Sequence, residues 1–203
     1  METPIEFADG AKLEIVQDEY APNPRSDYDE FGTMVCFHSN YILGDNDHDY
    51  KKDDHNSWDE LKDAIWKDNN VAMILPLYLY DHSGITISVE PFSCQWDSGQ
   101  VGWIYITKEK LAETGVDFDQ EKIRKLLLNE VEVYDQYLTG DVYGFILQYV
   151  KDKCETCGHT QIGEDSCYGF YGENPFESGM IDHIPERYHK ELKEYYPEPA
   201  TAV

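Results

Sequence analysis

Cysteine spacing carries the clearest chemical signal in this chain. Cys154-Glu155-Thr156-Cys157-Gly158-His159 sets two thiols on one side of a tight turn, followed by a glycine free to take positive φ, which is the pattern a zinc knuckle requires. Cys167 is expected to add a third thiolate from across a short hairpin, and His159 is the nearest fourth ligand; His183, His189, Cys94 or an acidic side chain stay open for that place. A thiolate-rich site quenches the Lewis acidity of the metal, so the expected zinc is structural rather than catalytic. The His-x-Glu and Pro-Cys-x-x-Cys pair of the zinc deaminases does not occur.

A second constellation is chemically dense but dispersed. Cys94, with His38 or His82 and an aspartate, would supply a nucleophile, a base and an orienting group if the fold brought them together. Against that, Cys36 sits inside an apolar run and reads as a small buried hydrophobe, and Asp81, His82 and Gly84 read as turn chemistry. No phosphate-binding glycine loop, Gly-x-Ser-x-Gly elbow or His-Glu-x-x-His occurs. Tyr168-Gly169-Phe170-Tyr171-Gly172 is either a protein-binding patch or a set of rings that packs the knuckle onto a sheet.

The elements that must position these residues read as α+β, with a mostly antiparallel sheet and two main helices. Strands are expected at Lys12–Val16, Met34–His38, Val71–Tyr80, Ile85–Val89, Gly102–Thr107 and Val142–Tyr149. Pro76 demotes its strand to a bulge or an edge. Ser57-x-x-Glu60 is a capping box for a helix ending at Asp68, Lys108–Glu113 gives one or two helical turns, and Ile123, Leu127, Val131, Tyr134 and Leu138 stripe a helix from Asp119 to Leu138. A last helix is expected over Pro185–Tyr196. The two prolines of Ala21–Arg25 point to an irregular loop, and Gly44 to Asn56 reads as an exposed one. A boundary near Lys151 would separate a core domain, 1–151, from a knuckle and terminal-helix segment, 152–203, packed on it.

Composition limits the partners. Sixteen Lys and Arg against 41 Asp and Glu give a net charge of −25 on a 203-residue chain that is 41% hydrophobic, a globular composition with an acidic surface. Such a field repels nucleic acid and anionic membranes and favours basic partners, although acidity can also serve solubility alone. The longest apolar run, Val71 to Tyr80, is far short of the ~20 residues of a membrane span, and no secretory leader opens the sequence. Five cysteines, an odd number, fit metal binding or free thiols in a cytoplasm better than a disulfide framework.

The chain resembles an acidic, Cys-knuckle-containing protein family carried by bacteriophages and other mobile elements. The words that match are Asn23-Pro24-Arg25, Gly32 to His38, Leu43-Gly44-Asp45, Leu75 to Gly84, Trp96 to Tyr105, Tyr134 to Phe145 and Ser166 to Gly172, with Tyr168 where Trp is usual. The resemblance covers most of the chain and brings no catalytic residue with it. It implies an anti-defence protein in the host cytoplasm, and specifically an anti-CRISPR that binds a basic surface of a Cas9-type nuclease and blocks DNA loading or cleavage. In that reading Asp45, Asp47, Asp49, Asp53 and Asp54, with Asp27, Asp29 and Glu30, meet Lys and Arg of the nuclease. A metal- or thiol-dependent enzyme acting on a host defence component, and an acidic regulatory or structural phage protein, are the alternatives.

Overall fold

Continuous apolar runs such as Val101–Ile106 imply strands covered on both faces, and the computed structural model, which describes residues 3–28, 30–153 and 155–196, has that arrangement. In chain order the elements are β1 (Ile5–Glu6), β2 (Lys12–Gln17), α1 (Pro24–Asp27), β3 (Thr33–Cys36), α2 (Trp58–Asp68), β4 (Val71–Asp81) and β5 (Ile85–Ser88). They continue with β6 (Ser98–Thr107), α3 (Lys108–Glu113), α4 (Gln120–Thr139), β7 (Val142–Lys153), β8 (Thr160–Tyr171) and α5 (His189–Tyr195). The fold is α+β, with two four-stranded sheets and antiparallel pairing throughout.

Pro22–Thr139 is one compact unit, built on the sheet β3-β6-β4-β5. Side chains alternate across a strand, so Met34, Cys36, Ile104 and Ile106 face one way and pack with Ile123, Leu127, Val131 and Tyr134 of α4. Val35, Trp103 and Tyr105 face the other way, against Leu61 and Ile65 of α2. The result is a three-layer sandwich, helix on sheet on helix. Pro76 sits where β4 is paired to β6 but β5 has not yet begun, since β4–β5 pairing starts at Tyr78; the missing N–H therefore breaks no ladder on that side. Asp135 of α4 ties the short β5 down by accepting from the Thr86 hydroxyl at 2.6 Å and from the Ile87 N–H at 2.7 Å.

Met1–Ala21 with Gly140–Val203 makes the second unit. Its sheet, β1-β2-β7-β8, packs Leu13, Phe145, Leu147 and Phe170 against Met180, Ile184, Tyr188 and Leu192. This division departs from the expected boundary: Lys151 falls inside β7, and the first strands belong with the C-terminal half. Two further expectations are corrected. Ala21–Arg25 is not wholly irregular, because Pro24 occupies the first turn of α1, where its absent N–H costs nothing, and the Asn23 side chain caps the helix by accepting from the Arg25 N–H. β8 was not anticipated; its mostly exposed, Gly-containing residues lack an apolar alternation.

Candidate functional site

The acidic residues named from sequence have divergent fates. Asp45 is not on an exposed loop, as expected, but lies in an ion cluster whose centre is Arg25, with a side chain only 1% exposed. Arg25 meets Asp45 bidentately, Nε to Oδ1 and Nη2 to Oδ2 both at 2.8 Å, and donates to the Gly32 carbonyl at 2.7 Å. Glu130 of α4 approaches Arg25 at 3.5 Å and Glu30 at 3.7 Å. Glu130 also accepts from the Phe31 and Gly32 N–H groups, while Asp45 accepts from that of Met34. Burial and the adjoining Glu30 carboxyl push the Glu130 carboxyl up to about 8, against the pull of an Arg25 already committed to Asp45.

Gly44 makes this closure possible. Its φ is +69°, a Cβ there would lie 2.6 Å from the Met34 carbonyl, and its N–H donates to the Tyr134 hydroxyl at 3.0 Å. Asn-Pro-Arg, Leu-Gly-Asp and the Tyr-Asp-Gln-Tyr segment, which carried the resemblance, thus meet in one structural lock. Cys36 lies beside it, its thiol pushed up to about 12 by burial, as befits a core hydrophobe.

Asp47, Asp49, Asp53 and Asp54 are exposed, and among the described residues none forms an ion pair. Asp27 is exposed on α1, and Asp29 lies outside the described residues. The run from Asp47 to Asn56 borders a groove along the α2 side of the first unit. One cavity of about 670 Å³ is lined by Asp47, Asp49, Asp54 and Asp68 with His48, Tyr50, His55 and Tyr105. Through His55 it adjoins a second of about 440 Å³, floored by Phe37 and Trp58, which shares Phe37, Trp58, Lys52 and Gln100 with a third of about 390 Å³ at Asp81, Trp96 and Asp97.

Local sequence explains how the groove is held. The Ser57 hydroxyl accepts from the Glu60 N–H at 3.2 Å and starts α2; Glu60 closes the box on the Asn56 N–H at 2.7 Å rather than on Ser57 itself. The Trp103 ring N–H donates to the Trp58 carbonyl at 2.9 Å, which fixes the helix start to the sheet. Tyr50 accepts from the Asn69 side chain at 2.8 Å, and His48 packs edge-on to Phe37 with its Nδ1 buried and, among the described residues, unpartnered.

At the far end, the fold brings together three residues of the possible thiol site. Asp97 Oδ2 stands 3.7 Å from Cys94 Sγ and 3.3 Å from His82 Nδ1, so the carboxylate lies between thiol and imidazole. That order lacks the direct nucleophile–base contact a thiol enzyme needs. His38 stacks instead on Tyr41, at 5.0 Å.

The cysteine turn belongs to the second unit. Cys154 lies outside the described residues; Cys157 and His159 are exposed in the turn between β7 and β8, and Gly158 has the expected positive φ, +72°. Cys167 is not across a short hairpin. It pairs with Phe145 deep in the sheet, whereas Lys153 pairs with Thr160 at the turn. Seven residues of strand at about 3.3 Å each put it roughly 23 Å from the turn. Among the described residues no three His, Cys, Asp or Glu converge on a cation site, and His189 is engaged with the Ile184 carbonyl at 2.7 Å. Among the described residues no helix is long and apolar enough to cross a membrane. No family model, curated protein or solved structure matches the chain.

Proposed function

We propose that the protein is a binding protein whose acidic groove covers a basic surface of another protein. One observation carries the reading: the exposed carboxylates of Asp47, Asp49, Asp53 and Asp54 have no ion-pair partner among the described residues, and Asp47, Asp49 and Asp54 line a groove with an aromatic floor. Unneutralised carboxylates steer a basic partner into encounter, and half-buried rings supply the apolar contact that holds it. Following the resemblance, the target is a Cas9-type nuclease in the host cytoplasm, covered where its positive channel would hold nucleic acid, in service of a phage anti-defence role. A net charge of −25 opposes direct binding of DNA or RNA.

Stoichiometric titration against Cas9-type DNA cleavage tests this. Inhibition that completes near equivalence supports the reading, and its absence at every ratio removes this target. Completion far below equivalence favours the thiol-dependent enzyme that the approach of Cys94, Asp97 and His82 brings to mind.

The turn is proposed as a structural zinc knuckle with Cys154, Cys157 and His159 as three of its four ligands; the strand spacing separates Cys167 from it and leaves the fourth ligand open. Metal analysis of purified variants is expected to find zinc lost in Cys157→Ser and retained in Cys167→Ser. Zinc retained in Cys157→Ser would contradict the knuckle.

A further inference from the structure

We propose that the Trp96 end of the groove receives an arginine side chain of the partner, its guanidinium stacked on the indole and paired with Asp81 and Asp97. The inference rests on the binding reading above and specifies what the groove recognises.

Trp96 is 96% exposed, and the loop that carries it is braced so that the ring has nothing of its own to fold onto. The Ser98 hydroxyl donates to the Cys94 carbonyl, the Asp81 N–H donates to the Asp97 carbonyl at 2.7 Å, and the Asp97 carboxylate engages both Cys94 and His82. Phe92 packs on Tyr80 at 5.7 Å and anchors the start of the loop. A rigid loop presenting a bare indole is a preformed anchor, because little ordering remains to be done on binding.

Its surroundings select the occupant. Asp81 and Asp97 line the same cavity of about 390 Å³ as Trp96. Asp81 Oδ1 meets the Tyr41 hydroxyl at 3.3 Å and Asp97 Oδ2 meets Cys94 and His82, so each carboxylate keeps its other oxygen unengaged among the described residues. An apolar partner group laid on Trp96 would strip water from these carboxylates without replacing its hydrogen bonds. A lysine would neutralise them but offers a compact ammonium with no plane to stack. Arginine does both: its flat guanidinium lies on the indole while its N–H groups reach carboxylate oxygens at the edge. Lys52, which also lines the cavity, offsets only part of the charge of two carboxylates.

Calorimetric titration of the full chain with acetylated Gly-Arg-Gly-Arg-Gly and with its lysine counterpart, at matched low salt, tests the assignment. The arginine peptide is expected to bind about tenfold more tightly. Trp96→Ala is expected to remove that preference while leaving the melting temperature unchanged, since the ring is not packed, and Trp96→Phe to keep part of it. Equal affinity for the two peptides, or a preference that survives Trp96→Ala, overturns the assignment. If both peptides bind equally and weaken with salt, or if only the nuclease binds, the acidic-groove reading survives and the arginine site falls. If neither peptide nor nuclease binds at low salt, both fall.

Discussion

Asp45 and Asp47 stand two residues apart in one acidic stretch, yet the fold gives them opposite work. Asp45 is drawn inward by the Arg25 guanidinium, with Glu130 and Glu30 beside it, in a cluster where one cation meets three carboxyl groups. Asp47, with Asp49, Asp53 and Asp54, is exposed and forms no ion pair among the described residues. Acidity in this protein is therefore of two kinds. The buried kind orders the first unit by tying α1, the loop after β3 and α4 together; the exposed kind is, in the proposed function, the part that meets a basic partner.

The contrast can be broken most forcefully at the buried end. Asp45→Ala leaves Arg25 buried without its bidentate partner and frees the Met34 N–H, and should lower unfolding stability by about 3–5 kcal/mol, measured by denaturant titration. A loss below about 1 kcal/mol would show that the cluster tolerates water and that the two kinds of acid do not differ.

Next comes the pH dependence of Glu130. Its carboxyl is raised to about 8 in the fold, by burial first and Glu30 next, against an ordinary value of about 4.3 when unfolded. The folded state therefore holds the proton more tightly than the unfolded one. The resulting stability is fully present below the ordinary carboxyl range and is lost as pH rises through about 8. Between pH 6 and 8.5 the wild type should lose on the order of 2–3 kcal/mol more than Glu130→Gln, whose amide does not titrate. Parallel profiles for the two proteins would contradict this.

Ser57→Ala removes the cap that starts α2 beside the groove and should cost about 1 kcal/mol. Smallest of all, Asp47→Asn, Asp49→Asn, Asp53→Asn and Asp54→Asn together should leave the thermal midpoint nearly unchanged, because each side chain is exposed and forms no ion pair among the described residues. A large loss would mean that these residues are structural after all.

What could be read from sequence follows the range of the forces involved. α3 occupies Lys108–Glu113 as expected, and α4 buries the Ile123, Leu127, Val131 and Tyr134 stripe, because periodicity and capping are local. Pro76 marked the place where β4 lacks its second neighbour for the same reason. The Arg25–Asp45 pair is different. It closes across 20 residues, so the acids of a single polar run could not be sorted into buried and available before the fold was known. β8 escaped because its residues are mostly exposed, and with it went the true position of Cys167. The groove itself was legible only as composition: acids and aromatics are abundant, but their convergence depends on α2 packing against Trp103 and Tyr105.

The most direct test of the exposed acids as a binding surface is the affinity of the full chain for nucleic-acid-free Cas9-type nuclease, measured across a salt series, beside the variant with Asp47, Asp49, Asp53 and Asp54 changed to Asn. A one-to-one complex that weakens as salt rises, with the variant at least about tenfold weaker at low salt, is the predicted result. Undiminished binding by a folded variant, or no complex at low salt, would contradict it.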